Sequence, residues 1–202
     1  MNGHETEVKF FVNNLEQIET RLCEMKAHLI QGRVHEINLR FDNANNDLQS
    51  EFKVLRLRKD TEARFTFKGP NQVNSEDVTS RMEIECTVSD FDSAKQFLEA
   101  LGFRTVAFYE KFRATYELNN VHVMLDEMPY GNFVEIEGED VSLLRAAARQ
   151  LGLKWEASVK TGYLALFTSA ARALNLDPSQ LSFDALKSIP ISAQDLGVEA
   201  AD

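Results

Sequence analysis

The chain reads as an α+β fold, an eight-stranded antiparallel closed β-barrel with helices packed outside it. Three observations in its 202 residues lead there. Eight segments alternate apolar and polar residues at the strand period of two, most of them in hairpin-like succession. Three further segments repeat apolar residues at helical spacing. The polar face of the strands is ionic at adjacent same-face positions, and the acids and bases are sorted among strands rather than mixed.

The first strand is HETEVKF, residues 4–10, which puts Glu5, Glu7 and Lys9 in one row and Val8 and Phe10 in the other. Asn13 and Asn14 are cap candidates for a helix whose Leu15, Ile18, Leu22 and Met25 share a face. HEINLRFD follows as a strand carrying Arg40. In KVLRLRK, Arg56 and Arg58 oppose Leu55 and Leu57; Lys59-Asp60-Thr61-Glu62 is a hairpin turn into RFTFK, where Arg64, Thr66 and Lys68 oppose Phe65 and Phe67. RMEIEC sets Arg81, Glu83 and Glu85 against Met82, Ile84 and Cys86. A second helix places Ala94, Phe97, Leu98 and Leu101 on its apolar face and stops at Gly102. EKFRATYEL carries Lys111 and Arg113, turns at Asn119-Asn120 into VHVMLDEM with Asp126, and turns again at residues 129–132 into FVEIEG with Glu135 and Glu137. The third helix uses Leu143, Leu144, Ala147 and Leu151 and stops at Gly152. A short helix is expected around Ser169–Leu174. The domain reading is therefore a barrel over 1–167 and an extension over 168–202 with short helices. Two strand–helix–strand units, one from Glu5 and Glu7 to Arg40 and one from Glu83 and Glu85 to Lys111 and Arg113, echo each other weakly.

The composition, 44% hydrophobic and 27% charged, is that of a globular chain and not of a disordered one. A net charge of −10 argues against a general nucleic-acid surface. No apolar run reaches the roughly 18 residues of a membrane span, and the N-terminus lacks a signal-peptide apolar stretch. Cys23 and Cys86 lie far apart without metal spacing, and His4, His28, His35 and His122 show no zinc pattern; a reduced, cytoplasmic protein is expected. Cations are nevertheless gathered locally: Lys53, Arg56, Arg58, Lys59, Arg64 and Lys68 stand within one stretch against Asp60 and Glu62.

Any single strand of this kind fits an antiparallel sheet wetted on one face. Eight in succession are enough to close a barrel, and closure with the helices outside turns the ionic faces inward. Unpaired ions cannot be buried dry. A wet channel lined with both signs, holding a metal and a polyanion, reconciles the two.

The Glu5-x-Glu7-x-Lys9 opening, LRLR, TFKGP, RMEIE, EKFR, LDE and VEIEG, in that order over about residues 4–167, resemble the CYTH family, the triphosphate tunnel metalloenzymes that include class IV adenylyl cyclases, thiamine triphosphatases and inorganic triphosphatases. The resemblance implies an eight-stranded antiparallel tunnel and a triphosphate-containing small molecule as its ligand. Arginine forks and lysine point charges suit phosphate, so Arg56, Arg58, Lys68, Lys111 and Arg113 are the expected ligands, with Lys9 close by and Arg81 beside them. Each would also pair with a facing carboxylate in the empty channel. Hard oxygen ligands suit Mg²⁺ or Mn²⁺ bridging protein to phosphate. The candidates are Glu5, Glu7, Glu135 and Glu137, then Asp126; Glu83 and Glu85 are either ligands or partners that orient the arginines. Glu5, Glu7 and Lys9 are the candidate catalytic set, Lys9 as a base only if neighbouring cations depress its pKa.

Two positions depart from the family. Arg40 stands where an aromatic is usual, and either adds a cation for a more highly charged phosphate chain or pairs with Asp42. Lys160 corresponds to a basic residue near the C-terminal strand of the family and by that resemblance is a candidate phosphate ligand, while the usual serine of that segment is Gly162. The function expected is a divalent-metal-dependent triphosphatase acting on inorganic triphosphate or an organic triphosphate. A class IV adenylyl cyclase making cyclic AMP and pyrophosphate is the alternative. A non-catalytic binding module would be expected to lose the metal-side acids, which are present. No nucleic-acid or membrane partner is expected, and a homodimer is the assembly considered.

Overall fold

The structure, a computed structural model, describes residues 3–71 and 79–202; the side chain of Glu5 lies outside the described residues. The elements run β1 (Gly3–Val12), α1 (Leu15–Glu24), β2 (His28–Asp42), α2 (Asp47–Ser50), β3 (Val54–Lys59), β4 (Ala63–Asn71), β5 (Thr79–Val88), α3 (Phe91–Ala100), β6 (Arg104–Leu118), β7 (Val121–Met128), β8 (Gly131–Gly138) and α4 (Val141–Gln150). Beyond them come β9 (Ser158–Val159), α5 (Tyr163–Leu174), β10 (Gln180–Leu181), α6 (Phe183–Leu186) and α7 (Ala193–Leu196).

The architecture is an antiparallel sheet with helices, of the α+β class. Hydrogen-bonded neighbours follow the order β6-β2-β3-β4-β5-β1-β8-β7, and β6 also pairs with β7. The two-residue strands β9 and β10 attach to β1 and β6, β10 in parallel. Each of the eight expected strands forms. β2 and β6 are longer than their alternating cores suggested, at 15 residues each, because they pair with one another over most of their length.

Strand registers place the ionic residues side by side. Arg40 lies opposite Arg56, Lys68 opposite Glu83, Arg113 opposite Asp126, Lys9 opposite Glu135, and Glu7 opposite Glu137. Residues directly opposite in a ladder share a face, so these side chains all project to one side of the sheet.

The other side is covered by the helices. Ile18 and Leu22 of α1, Leu144 of α4 and Leu151 just after it are buried against Val8, Phe10, Val123 and Ile136. Full burial of each such side chain stabilises the fold by about 1.5–3 kcal/mol. Helix starts follow the expected chemistry: the Asn14 side chain accepts from the Gln17 N–H at 3.0 Å, and Asp90 accepts from Ser93 at 2.7 Å. Gly102 and Gly152 follow α3 and α4 with φ of +89° and +71°, the left-handed backbone that favours glycine after a helix.

Three expectations are corrected. On α3 only Ala94 and Leu98 are buried, against Leu39, Phe41 and Leu57, while Phe97 and Leu101 are 61% and 60% exposed. The contact stripe is a single i, i+4 row, and both residues sit on its flank. Leu143 of α4 is likewise exposed beside the buried Leu144. The C-terminal helix begins at Tyr163, not near Ser169, because Gly162 serves as its N-cap and the apolar YLALF run continues into it.

That helix anchors a second cluster: Leu166, Phe167 and Ala170 pack with Phe11, Tyr130 and Phe133. The chain then returns to β1. Ala201 donates its N–H to the Phe11 carbonyl at 2.9 Å, and the Asp202 carboxylate accepts from the Asn13 and Asn14 N–H groups ahead of α1. Among the described residues no helix is long and apolar enough to cross a membrane.

Candidate active site

The ionic side chains converge on one cavity of about 560 Å³, walled by β1, β2, β3, β4, β5, β6 and β8 and by the first turn of α5. Eight predicted cations line it: Lys9, Arg40, Arg56, Arg58, Lys68, Arg81, Lys111 and Arg113. Five predicted carboxylates join them, namely Glu7, Glu83, Glu85, Glu135 and Glu137. Among the described residues the cavity therefore carries a surplus of positive charge, in a chain whose net charge is −10. A polyanion is what such a surplus attracts.

One wall is a dense ion cluster. Arg113 donates from Nε to Asp126 Oδ1 at 2.6 Å and from Nη2 to Oδ2 at 2.5 Å, a two-pronged grip on one carboxylate. Lys111 Nζ reaches the same Asp126 Oδ2 at 3.1 Å. Glu135 sits 3.1 Å from Lys9 Nζ and 3.4 Å from Arg113 Nη2. Asp126, predicted as a secondary metal ligand, is fully buried beneath the cavity wall with both oxygens occupied by these donors. Burial alone would raise its pKa, but Arg113 and Lys111 outweigh that and hold it below the usual carboxylate range. Glu135 is depressed further, again against burial, by Lys9, Arg113 and Lys111. Burial works to lower the Lys9 pKa, yet Glu135 and Glu7 overcome it and leave the ammonium more firmly protonated than usual. The shift runs opposite to the one a lysine base would need.

The facing wall, on β3, β4 and β5, is looser. Lys68 Nζ lies 2.5 Å from Glu83 Oε2, and Arg64 Nη1 3.2 Å from Glu85 Oε1. Glu83 and Glu85 are thus ion-pair partners of these cations. Arg56 donates to Thr66 Oγ1 at 3.1 Å and, weakly, to the Tyr109 hydroxyl at 3.5 Å. Arg58 stretches toward Glu36 at 3.8 Å and Glu85 at 4.0 Å. Its Nε comes within 3.3 Å of Asp60 Oδ2, but the alignment is too poor for a hydrogen bond. The Nε atoms of Arg56, Arg58 and Arg64 are all buried without a partner. Arg40 and Arg81 form no salt bridge with a described residue. Asp42, the alternative partner for Arg40, instead accepts the backbone N–H groups of Asn43, Leu48 and Gln49 and caps α2. Lys160 is exposed and borders a smaller adjoining cavity of about 110 Å³, which shares Glu7, Lys9 and Arg81 with the main one.

Sequence reasoning missed three residues of this site. Glu36, 1% exposed, stands between Lys111 (3.7 Å) and Arg58 (3.8 Å) and links the two walls. Burial favours its neutral form, but Lys111, Arg113, Arg58 and Arg56 together keep it ionised far below the ordinary range. Asn38, also buried, donates to Glu36 at 2.9 Å. The alternation Glu36, Asn38, Arg40 was the available signal. Tyr163 donates its hydroxyl to Asp126 Oδ2 at 2.6 Å, and its ring lies 4.4 Å from Lys9 Nζ.

For a metal, the donor set matters more than a ready cage. No three His, Cys, Asp or Glu side chains converge as a cage among the described residues. Mg²⁺ needs no such cage, since it keeps several waters and binds through one or two carboxylates plus substrate phosphates. Glu7 and Glu137, directly opposite on β1 and β8 and both lining the cavity, fit that requirement.

A family model for the CYTH domain matches residues 3–163, a stretch that contains every strand and helix bearing a cavity residue before α5. The chain belongs to the CYTH family. A curated Methanocaldococcus jannaschii protein, provisionally named an adenylate cyclase, is 26% identical over 136 residues, covering 66% of this chain and 75% of that protein. Among solved structures, a Vibrio parahaemolyticus protein with the same provisional name superposes with a TM-score of 0.70 at 20% identity, covering 81% of this chain and 97% of that one. A Pyrococcus horikoshii protein gives a TM-score of 0.70 at 26% identity, covering 81% and 98%. A provisionally named adenylyl cyclase from Hippeastrum, described as having a dominant triphosphatase activity, gives 0.61 at 21% identity, covering 82% and 95%.

Proposed function

We propose that this CYTH protein is a divalent-metal-dependent triphosphatase that takes inorganic triphosphate or an organic triphosphate into a charged tunnel. The observation that carries the reading is the cavity itself: eight cations and five carboxylates meet in one space, and two of its arginines, Arg56 and Arg58, have Nε atoms without partners. Closure of the sheet into a tunnel is supported by the pairing of β6 with β2 on one side and β7 on the other. The dominant triphosphatase activity described for the Hippeastrum protein points the same way.

In this reading the dense wall of Lys9, Lys111 and Arg113 receives one end of the phosphate chain, prearranged by Asp126 and Glu135. The arginines of β3 exchange their loose contacts for phosphate oxygens and hold the leaving end. Arg40 and Arg81 add charge at the cavity edge. Glu7 and Glu137, with Glu5 as the predicted third carboxylate, would hold Mg²⁺ or Mn²⁺, which would supply neutralisation of phosphate charge and activation of water. Glu7 and Glu5 would orient the attacking water. The protonated Lys9 stabilises charge that develops on the phosphoryl oxygens.

A second reading is a class IV adenylyl cyclase, favoured by the provisional names of the Methanocaldococcus jannaschii and Vibrio parahaemolyticus relatives. The deciding experiment offers triphosphate, thiamine triphosphate and ATP in parallel with Mg²⁺ or Mn²⁺. Orthophosphate without cyclic AMP is expected. Cyclic AMP with an equal amount of pyrophosphate would replace the first reading with the second. Glu7→Gln, which removes one charge at constant size, is expected to abolish turnover while circular dichroism stays unchanged; surviving activity would move the metal elsewhere.

A further inference from the structure

We propose that Tyr163 is a positioning residue of the phosphate clamp, fixing where the Lys9 and Lys111 ammonium groups stand. The inference rests on the reading of the cavity as a phosphate site and goes beyond it by assigning part of the clamp to the first residue of α5. Lysine is a compact charge on a flexible four-carbon stem, so its position must be imposed from outside. Lys9 Nζ stands 3.1 Å from Glu135, and Lys111 Nζ 3.1 Å from Asp126 and 3.7 Å from Glu36, so each ammonium has a carboxylate onto which it could settle wholly.

Tyr163 opposes that collapse with two parts of one side chain. Its ring lies 4.4 Å from Lys9 Nζ and 5.1 Å from Lys111 Nζ, within range for attraction between a cation and an aromatic face. Its hydroxyl donates to Asp126 Oδ2 at 2.6 Å, the oxygen that also receives Lys111 and Arg113. A carboxylate oxygen shared with a neutral donor leaves the cations less than fully neutralised and available to an incoming anion.

Tyr163 is itself held. Its ring packs edge-on against Phe133 at 5.2 Å, and its backbone carbonyl accepts from the Tyr130 hydroxyl at 2.9 Å. Both contacts fix the start of α5, whose buried residues tie it to the same cluster. The first turn of α5 thus joins the C-terminal segment to the clamp.

The test combines a spectrum with a binding cycle on the full chain. In protein carrying ¹³C-labelled lysine, the ε-methylene signals of Lys9 and Lys111 are expected upfield of the other lysines, displaced by the ring. They should stay there in Tyr163→Phe and return to the common range in Tyr163→Leu. Calorimetry with inorganic triphosphate in EDTA reads binding without turnover. Tyr163→Leu should raise Kd about tenfold and Tyr163→Phe about threefold or less. Combined with Lys9→Met, Tyr163→Leu should be non-additive, whereas with Arg81→Met, which lies off the ring, the effects should add. A purely structural role would leave the couplings with Lys9→Met and Arg81→Met alike.

Undisplaced lysine signals in the unaltered protein would overturn the proposal, and that spectrum decides even if Tyr163→Leu does not fold. Additive behaviour with Lys9→Met, or a loss in Tyr163→Phe as large as in Tyr163→Leu, would also overturn it. If the unaltered protein bound no triphosphate, the phosphate reading would fail separately, and the spectrum would still report whether the ring holds the ammonium groups.

Discussion

The two walls of the cavity hold similar residues in opposite states. On β6, β7, β8 and β1, Arg113 and Lys111 share the buried Asp126, and Lys9 and Arg113 share Glu135. On β3, β4 and β5, Arg58 reaches three carboxylates without a good hydrogen bond to any, and three arginines leave Nε buried and unmatched. The difference extends to the electrostatics. Burial lowers the pKa of Arg58, and the nearby Arg56 lowers it further, whereas Asp126 and Glu135 raise that of Arg113 well above its ordinary value despite burial. Arg56 is an exception on its own wall, raised because Tyr109 and Glu36 outweigh its burial. One wall is prearranged, and the other has bonding capacity in reserve for a ligand. Preorganised charge costs no rearrangement on binding, while unsatisfied donors gain most from it.

The sharpest way to break this contrast is to remove the carboxylate at the centre of the tight wall. Asp126→Ala leaves Lys111 and Arg113 as buried charges without their main partner. Losing one partner of a buried pair typically costs about 3–5 kcal/mol. Urea unfolding should show that loss, and a change under about 1 kcal/mol would mean the wall is wetter than its burial indicates.

Glu36, which joins the walls, comes next. Glu36→Gln should destabilise the protein at neutral pH by about 1–3 kcal/mol. The pH dependence has a definite sign. The Glu36 pKa is depressed in the fold, so its stabilising effect is fully present above the unfolded carboxylate pKa of about 4.3 and is lost as pH falls toward the folded value. Stability of the unaltered protein should therefore fall more steeply below that pH than stability of Glu36→Gln, and the two should converge in acid. Parallel curves across the acid range would remove Glu36 from the role of bridge.

These contrasts were only partly legible in the chain. Alternation in segments such as KVLRLRK separates Arg56 and Arg58 from Leu55 and Leu57 whatever the fold, because neighbouring side chains of a strand must point to opposite faces. That is why the strands and most of the cavity residues could be named in advance. Burial depth could not. Asp126 looks like any acid on a polar face until Tyr163, brought over it by a helix start many residues later, closes the space above. Glu36 sits in HEINLR as one acid beside an asparagine, and only the pairing of β2 with both β3 and β6 brings Arg58 and Lys111 to it. Phe97 failed in the opposite sense: helical spacing marks a stripe, but the width of the stripe depends on what packs against it.

The smallest effects separate cations that line the cavity from one that supports them. Arg58→Met removes a cavity arginine whose own ion pairs are long, so stability should change by less than about 1 kcal/mol. Triphosphate affinity should nevertheless fall by about tenfold, the weight of one charge-assisted contact. Arg64 lies on the same ladder opposite Arg58, but its contacts go to Glu85 and Asp60, and it does not line the cavity. Arg64→Met should therefore shift affinity by about threefold or less, through the freedom it gives Glu85 to draw Arg58 closer. In the double variant that route is gone, and the effect of Arg64→Met on binding should vanish. Calorimetric titration of the four proteins measures both terms. Equal losses for the two single variants would make Arg64 a direct ligand and would widen the receptive wall by one residue.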